Sequence, residues 1–244
     1  MSDFLSNKPI PPAERLMFAM DVPGPAEARK LAEQLGDSVQ FYKLGLELFM
    51  GGGYWELVDW MVGQGKKVFV DLKFFDVPAT VGGAVRRLGG RGVTCCTVHG
   101  NDGMLQAACE AKQDVKILAV TVLTSLDRGD LDSLGFQCDP RELVLSRARR
   151  ALDIGCDGVV SSGLEALEIR SEIGSKLLVV TPGIRPVENR PVDDQKRMVD
   201  VEQAFRGGAD YIVVGRPIRN APDPRAAAEA IQETISRLFP ASAS

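Results

Sequence analysis

The stretch KVFVDLK, residues 67–73, is a short apolar run that ends in an aspartate and a lysine, and FFDVPAT, residues 74–80, follows it with a second aspartate. Runs of this length and β-branched content are typical of strands that are buried on both faces of a parallel sheet. A charge at the end of such a strand costs several kcal/mol unless it is paired. The stretch therefore predicts a parallel strand whose end carries a paired group of charges.

Seven further apolar runs, separated by helical patterns, accompany this strand. The predicted strands are RLMFAMD (15–21), VQFYKLG (39–45), KVFVDLK (67–73), GVTCCTVH (92–99), VKILAVTVL (115–123), GVVSS (158–162), LLVVTP (177–182) and DYIVVGR (210–216). Segments such as residues 25–36 and 140–155 have helical periodicity, with Pro at the start and Gly at the stop. Eight βα units in 244 residues predict an α/β fold, a single-domain (β/α)8 TIM barrel over residues 1–244 with its core at about 15–238.

Alternation of side chains along the third strand separates its residues into two sets. Its even-numbered apolar residues suit packing against the outer helices, whereas Phe69, Asp71 and Lys73 share the face that we expect inside the barrel. Asp71 and Lys73 would then be neighbours at the C-terminal mouth, with Asp76 in the following loop. A purely structural ion pair is the alternative interpretation of this cluster taken alone.

Composition and charge exclude several classes of function. The net charge of −4 at pH 7 and the pI near 5.2 provide no basic surface for nucleic acid. The sequence has no apolar run of the roughly 18 residues that cross a bilayer, and its N-terminus lacks the apolar core of a signal peptide. Five cysteines without a C-x-x-C pair indicate reduced thiols. We therefore expect a cytoplasmic protein that binds neither nucleic acid nor membranes.

The single histidine, His99, rules out a zinc site built from three histidines. The G-x-S-x-G, G-x-G-x-x-G and P-loop motifs are also missing from the sequence. Chemistry must therefore rest on carboxylates, lysines and arginines. We interpret His99 as a barrel residue rather than a catalytic one, and Glu47 as a solvated helix residue rather than a metal ligand.

Polar residues lie within or at the C-terminal ends of several other predicted strands, and in a (β/α)8 barrel these ends meet at the mouth where active sites are built. They are Asp21, Lys43, His99, Thr124, Ser125, Gly215 and Arg216. The charges among them alternate in sign with those of the third strand, so a paired network is expected. A lysine flanked by carboxylates keeps its proton at neutral pH, which makes Lys73 a predicted proton donor.

The loops after strands seven and eight predict a phosphate site, because barrels often bind phosphate there. Gly215 allows backbone N–H groups to approach closely, and Arg216 can form a bidentate contact with phosphate. The polar, proline-rich segment 181–197, which contains Gln195, is a candidate lid. A simple turn with a surface arginine is the alternative for the Gly-Arg-Pro sequence taken alone.

The segment DLKFFDVPATV (71–81) resembles the D-x-K-x-x-D-x-P-x-T signature of the orotidine 5′-monophosphate decarboxylase family, bacterial type. Further motifs resemble this family in order from about residue 15 to 235, namely FAMD, YKLGLELF, VTVLTS, TPGIRP and VVGRPI. The resemblance implies a homodimeric barrel that converts orotidine 5′-monophosphate to uridine 5′-monophosphate, the last step of de novo UMP synthesis. It implies no metal and no other cofactor. Phe75 and Ala79 depart from the family pattern, and we expect them to alter only packing near the dimer interface.

Carried over by position, the resemblance also implies residue roles. Asp71 would lie against the departing carboxylate, and Lys73 would deliver a proton to C6 of the pyrimidine. Lys43 and Asp76 would complete the charge network, with Asp76 and Thr80 reaching the partner subunit's site. The other implied substrate contacts are Asp21 and Lys43 to the ribose, Thr124 or Ser125 to the pyrimidine, and Arg185, Gln195, Gly215 and Arg216 to the phosphate.

Two alternative functions differ from this one in testable ways. A Mg²⁺-dependent sugar-phosphate decarboxylase or aldolase of the same barrel type would place a carboxylate for the metal where Lys43 stands, and a lysine there repels a divalent ion. A non-catalytic barrel that binds nucleotide phosphates would keep Arg216 but has no use for Lys73 beside Asp71.

Overall fold

The strand that contains Asp71 and Lys73 lies within a closed barrel of eight parallel strands in the computed structural model, which describes residues 4–185 and 199–240. The strands are β1 (Leu16–Ala19), β2 (Phe41–Gly45), β3 (Lys67–Phe74), β4 (Cys95–His99), β5 (Lys116–Val120), β6 (Gly158–Val160), β7 (Leu178–Thr181) and β8 (Tyr211–Val214). Each strand pairs with the next, and β8 closes the barrel by pairing with β1. The predicted (β/α)8 barrel is thus confirmed.

Except for β3, which extends one residue further than predicted, the paired strands are shorter than the apolar runs that predicted them. β1, for example, ends at Ala19, although Met20 and Val22 beyond it are buried. In the same way, Val122 is buried after the end of β5. Residues past the last ladder hydrogen bond still pack under the helices, so apolar character extends beyond the sheet.

Helices cover the outside of the barrel. Within residues 4–185 and 199–240 they are α1 (Pro25–Leu35), α2 (Leu46–Met50), α3 (Tyr54–Gly63), α4 (Pro78–Arg86), α5 (Asp102–Ala111), α6 (Arg128–Ser133), α7 (Pro140–Ile154), α8 (Gly163–Glu172), α9 (Val201–Arg206), α10 (Arg216–Arg219) and α11 (Pro224–Leu238), with 3-10 turns at Pro12–Glu14 and Gly36–Ser38. In this part of the chain, no helix has both the length and the apolar character to cross a membrane.

The ends of α7 illustrate how the sequence sets the helix limits. Asp139 caps its start, since its carboxylate accepts a hydrogen bond from the backbone N–H of Arg141. In turn, the Glu142 carboxylate accepts a hydrogen bond from the backbone N–H of Asp139. Gly155 ends the helix with φ of 94°, a left-handed conformation that glycine adopts without strain. These limits match the Pro and Gly signals of residues 140–155.

Two apolar layers divide the core according to the alternation of the strands. Phe69 lies in the inner cluster that fills the barrel, together with Phe41 and Tyr211, whose rings meet edge to face at 5.7 Å. Val68 and Val70 lie in the outer cluster between strands and helices. Burial of each such side chain contributes about 1.5–3 kcal/mol. Phe69 therefore points into the barrel, and Asp71, two residues further along β3, follows it on the same inner face.

The N-terminal end of the barrel is held by a buried charge network around Asp210, which has no solvent-accessible surface. Its carboxylate accepts hydrogen bonds from Arg170 at 2.7 Å, from Lys8 at 3.0 Å and from the backbone N–H of Val179 at 2.9 Å. Each charge of the network has an opposite partner, as burial requires. The network therefore links the segment before β1 to the start of β8, at the end of the barrel opposite the mouth.

Candidate active site

A cavity of about 510 Å³ opens at the C-terminal mouth of the barrel. Most of the residues predicted for a site from the sequence line it, and these are Asp21, Lys43, Asp71, Lys73, Thr124, Ser125, Arg185, Gly215 and Arg216. They come from the ends of β1, β2, β3 and β8 and from the loops after β5 and β7. The mouth therefore assembles charged and polar side chains that are far apart in sequence.

Asp71 is the centre of the charge network. The Nζ of Lys73 lies 3.0 Å from each of its carboxylate oxygens. The Nζ of Lys43 lies 3.4 Å from Asp71 on one side and 3.0 Å from Asp21 on the other. Signs alternate along this chain of four residues, so every charge at the base of the cavity faces an opposite one.

The charge states follow from this pairing. Burial by itself raises the pKa of Asp71, but Lys43, Lys73 and the hydrogen bonds from Lys73 and Thr97 outweigh it and hold the pKa below its ordinary value. Burial by itself lowers the pKa of Lys43, but Asp71 and Asp21 outweigh it and raise the pKa above its ordinary value. At neutral pH, Asp71 is therefore an anion and Lys43 a cation, despite their burial.

The backbone of Lys73 has an unusual conformation. Its φ is 49°, and within residues 4–185 and 199–240 it is the one non-glycine residue with positive φ. The pairing of β3 with β4 shifts between Val70 and Phe74, so β3 bulges where Lys73 lies. A non-glycine residue in this region is strained, and such strain often marks a functional site. The bulge turns the Lys73 side chain onto Asp71.

Thr97 on β4 supports this bulge. Its hydroxyl oxygen accepts a hydrogen bond from the backbone N–H of Lys73 at 3.0 Å, and the hydroxyl donates to Asp71 at 2.9 Å. The Thr97 side chain is fully buried. It therefore positions both partners of the ion pair without being exposed to the cavity.

Two glycines leave room for the charged groups. A Cβ at position 45 would lie 3.3 Å from both the Asp21 carboxylate and the Lys43 ammonium. A Cβ at Gly215 would lie 3.2 Å from Ala19 and 3.8 Å from Asp21. Small residues at the ends of β2 and β8 therefore keep the space above the network open.

Three arginines also line the cavity and form what we call its arginine-rich wall: Arg185, Arg216 and Arg219. Arg185 is buried and its backbone N–H donates to Val199 at 3.0 Å, whereas Arg216, at the start of α10, is exposed. Arg219, one turn further along α10, donates a hydrogen bond to the backbone carbonyl of Asp21. This arginine links the α10 wall of the cavity to the ion-pair network.

Asp76 and Thr80 lie outside the cavity of their own chain. Both are exposed, and the Asp76 carboxylate accepts a hydrogen bond from the backbone N–H of Val77 at 2.6 Å. Phe75 and Val77, on either side of Asp76, are 61% and 62% exposed. Gln195 and most of the predicted lid lie outside the described residues.

His99 also lies outside the cavity lining, at the end of β4. Its ring packs edge to face against Phe75 with 4.9 Å between ring centres, and its Nδ1 is buried without a hydrogen-bond partner. Burial, Arg147 and Lys73 together lower the pKa of His99. The imidazole is therefore neutral at neutral pH.

Sequence reasoning missed three residues that shape the site: Thr97, Gly45 and Arg219. The alternation of β4 contains a signal for Thr97, because it shares the inward face with Cys95, and Gly45 has the same parity as Lys43 on β2. Arg219 gave no comparable signal, since its role depends on how α10 lies against β1.

Within the described residues, no group of three or more His, Cys, Asp or Glu side chains is arranged to hold a metal ion.

A closed parallel barrel with a charge network and an arginine-rich wall at its C-terminal mouth defines a (β/α)8-barrel protein of the enzyme type. Residues 14–231 match the family model described as orotidine 5′-phosphate decarboxylase / HUMPS family, and the chain belongs to this family.

Relatives of known sequence and structure agree with this membership. The chain is 66% identical to an orotidine 5′-phosphate decarboxylase of Methylococcus capsulatus, over 99% of this chain and 100% of the relative. It is 54% identical to one of Xanthomonas euvesicatoria, over 97% of this chain and 98% of the relative. The crystal structure of the Lactobacillus acidophilus orotidine 5′-phosphate decarboxylase is similar, with a TM-score of 0.79 and 34% identity over 93% of this chain and 100% of that one.

Proposed function

We propose that the mouth cavity decarboxylates orotidine 5′-monophosphate to uridine 5′-monophosphate. The observation that carries this proposal is the Asp71 carboxylate, buried between Lys43 and Lys73, with the Lys73 Nζ on the cavity wall 3.0 Å from both carboxylate oxygens. The likeness to decarboxylases along nearly the whole chain supports the same reaction. In this proposal Lys73 is the fixed cation and Asp71 the fixed anion beside the reacting carbon.

The chemistry follows from the charges. When the bond between C6 and the substrate carboxylate breaks, CO₂ leaves and the electron pair remains on C6 as a carbanion. The Lys73 ammonium, held in place before the reaction, stabilises that charge and then transfers its proton to C6. Lys73 regains a proton from solvent after the product leaves. Asp71 lies beside the substrate carboxylate and raises the energy of the ground state.

The arginine-rich wall is proposed to bind the 5′-phosphate. Arg216 and Arg185 line the same cavity as Lys43 and Lys73, and Gly215 has no side chain to cover the backbone there. Asp21 and Lys43 lie between that wall and Asp71, where they would contact the ribose, and Thr124 or Ser125 would contact the pyrimidine. Binding energy from the phosphate then helps to hold C6 against Lys73.

The direct test is to follow the ultraviolet absorbance of orotidine 5′-monophosphate in the presence of the purified protein. We expect the orotidine absorbance to disappear, with one CO₂ released per uridine 5′-monophosphate formed. A chain that binds the nucleotide but leaves its absorbance unchanged would contradict the proposal and favour a non-catalytic phosphate-binding barrel.

We propose further that turnover requires no metal ion. The Lys43 ammonium lies between Asp21 and Asp71, where a Mg²⁺-dependent relative would need a free carboxylate, and a cation there repels a divalent ion. The rate should therefore be the same before and after treatment with EDTA. Loss of activity in EDTA that Mg²⁺ restores would point to the metal-dependent class.

We also propose a homodimer in which each chain contributes residues to the cavity of its partner. Asp76 and Thr80 are exposed and lie outside the cavity of their own chain, beside the exposed apolar side chains of Phe75 and Val77. Exposed apolar residues in such a group are typical of an interface. A second copy that covers them would receive Asp76 and Thr80 at its own cavity.

Mixed dimers test this sharing. Asp76→Ala and Arg216→Ala chains, each inactive alone, would form one intact site per hybrid dimer, because the intact Asp76 comes from the partner. After mixing and subunit exchange, activity should recover to about a quarter of the wild-type value, as expected for random pairing. If hybrid dimers form and remain inactive, Asp76 does not act across the interface.

A further inference from the structure

Two cysteines lie in contact on the outside of the barrel, away from the mouth. The Sγ atoms of Cys109, on α5, and Cys156, between α7 and β6, are 3.6 Å apart, although 47 positions separate them in sequence. Both are free thiols. Among the described residues, the shallow pocket beside them shares no side chain with the mouth cavity. The proposed reaction therefore gives this pair no role.

The environment of the pair makes one thiol the nucleophile. A hydrogen bond from Cys156 lowers the pKa of the Cys109 thiol against the opposing effect of burial, and Lys112 adds to the lowering. The same contact and burial raise the pKa of Cys156. Lys112 lies three residues after Cys109. Its Nζ donates hydrogen bonds to the Asp157 carboxylate at 2.7 Å and to the Gly155 carbonyl at 3.2 Å. Cys109 is half-buried, so a small oxidant can reach it.

The other cysteines lack these features. Burial raises the pKa of both Cys95 and Cys96, which are buried within β4. Cys138 is half-buried, as Cys109 is, but lies outside the pair and serves as a natural comparison.

The local backbone suits a bond between the two sulfurs. A disulfide needs an S–S distance of about 2.05 Å, so the two atoms must approach by about 1.5 Å. Cys156 directly follows Gly155, whose φ of 94° marks the turn at the end of α7, and it lies outside regular secondary structure. We expect small rotations in this turn and at the Cys109 side chain to bring the sulfurs together without moving a strand.

We propose that Cys109 and Cys156 form a redox modification site, at which a peroxide converts the two thiols into an intramolecular disulfide. The Cys109 thiolate attacks one oxygen of hydrogen peroxide, the O–O bond breaks, and a sulfenic acid forms with release of hydroxide, which is protonated to water. The Cys156 sulfur then attacks the sulfenic sulfur, losing its proton and releasing a second water. The two thiols are oxidised by two electrons and the peroxide is reduced to two water molecules.

The bond would connect α5 to the start of β6 and close a long segment of the barrel. Such a cross-link lowers the conformational entropy of the unfolded chain and therefore raises the stability of the folded protein. Because the pair is separate from the mouth cavity, turnover should continue after oxidation. This inference does not depend on the proposed function.

The test oxidises the full-length protein with hydrogen peroxide, blocks the remaining thiols and maps the peptides without reduction. We expect a mass loss of about 2 Da and a peptide that joins Cys109 to Cys156, both reversed by dithiothreitol. Oxidised wild type should also melt at least about 3 °C higher than reduced wild type. Cys138→Ser should behave as wild type, whereas Cys109→Ser and Cys156→Ser should form no internal disulfide and show no rise.

Three outcomes would overturn the inference. The first is wild-type protein in which Cys138 becomes oxidised while Cys109 and Cys156 both stay free. The second is a linked peptide that contains any other cysteine. The third is a cross-link between chains instead of within one. Because the peptide map is made on the wild type, the result stands even if a serine variant fails to fold.

Discussion

The hydroxyl of Thr97 accepts a hydrogen bond from the backbone N–H of Lys73 at 3.0 Å. The same hydroxyl donates to the carboxylate of Asp71 at 2.9 Å, so one side chain on β4 fixes both the backbone of the lysine and the anion that faces it. Lys73 has a strained positive φ of 49° at this point of the β3 bulge. The strain persists because the surrounding structure holds it, and the hydrogen bond from the Lys73 backbone N–H to Thr97 is one of the contacts that does so.

Replacing Thr97 with valine tests this support. Thr97→Val keeps the shape of the side chain but removes the acceptor for the backbone N–H of Lys73 and a hydrogen bond to an ionised carboxylate. Hydrogen bonds to charged groups are worth about 1.5–3 kcal/mol, so kcat/KM for orotidine 5′-monophosphate should fall about 10- to 100-fold. Binding of uridine 5′-monophosphate, measured by calorimetry, should change much less.

Thr97→Ser is the matched control, because serine keeps the hydroxyl and loses only a methyl group. It should retain most of the wild-type kcat/KM. Equal losses in the serine and valine variants would mean that the packing of the methyl group, and not the hydroxyl, supports the site.

Lys73→Ala removes the proposed proton donor. Asp71 keeps Lys43 and Thr97 as partners, so the fold and the nucleotide site should survive. Loss of both the proton and the fixed cation should lower kcat by at least about 10³-fold, with a much smaller effect on the affinity for uridine 5′-monophosphate. The absorbance assay gives the first quantity and calorimetry the second.

Lys67→Ala provides the control on the same strand. Lys67 begins β3 at the opposite end of the barrel, where it pairs with Glu14. This variant should turn over at the wild-type rate. A Lys73→Ala protein as active as Lys67→Ala would show that another group protonates C6.

The sequence predicts the placement of Asp71 and Lys73 because the information is local. Strand alternation assigns both residues to the inner face once Phe69 is taken as core, and the structure has Phe69 in the inner cluster. The support from Thr97 could not be predicted in the same way. Alternation along β4 places Thr97 on the inner face with Cys95, but its contact with the Lys73 backbone depends on the shifted register between β3 and β4, which neither strand shows by itself. Arg219 is a similar case, because its bond to the Asp21 carbonyl joins residues 198 positions apart.

At the opposite end of the barrel, Asp210→Ala should destabilise the fold. The change leaves Arg170 buried without its carboxylate partner and removes the acceptor for the backbone N–H of Val179. Breaking a buried ion pair by removing one partner typically costs about 3–5 kcal/mol. Urea unfolding should show a fall of this size in the free energy of unfolding.

Asp59→Ala is the matched surface control, since Asp59 pairs with Arg91 at 2.9 Å in an exposed position. Exposed pairs contribute about 0–1 kcal/mol, so this variant should unfold close to wild type. If the two alanine variants were equally stable, the Asp210 network would contribute no more than a surface contact.

The single histidine gives the protein a specific pH dependence. Burial, Arg147 and Lys73 lower the pKa of His99 below its ordinary value of 6.5, while Phe75 covers its ring. The unfolded chain therefore binds a proton at this position more readily than the folded chain, and the free energy of unfolding should fall as the pH drops below about 6.5. Asp71 acts in the same direction but in a lower pH range, because the stability from its lowered pKa is lost only as the pH falls below its ordinary value of 3.8.

His99→Gln isolates this effect, since the chain then has no group with an ordinary pKa near 6.5 on any side chain. Urea unfolding at about pH 7.5 and pH 5 should show a clear loss of stability for wild type and a smaller loss for the variant. The difference between the two proteins measures the contribution of His99, because the other carboxylates titrate alike in both. Parallel pH profiles would mean that the His99 imidazole accepts a proton as easily in the folded chain as in the unfolded one.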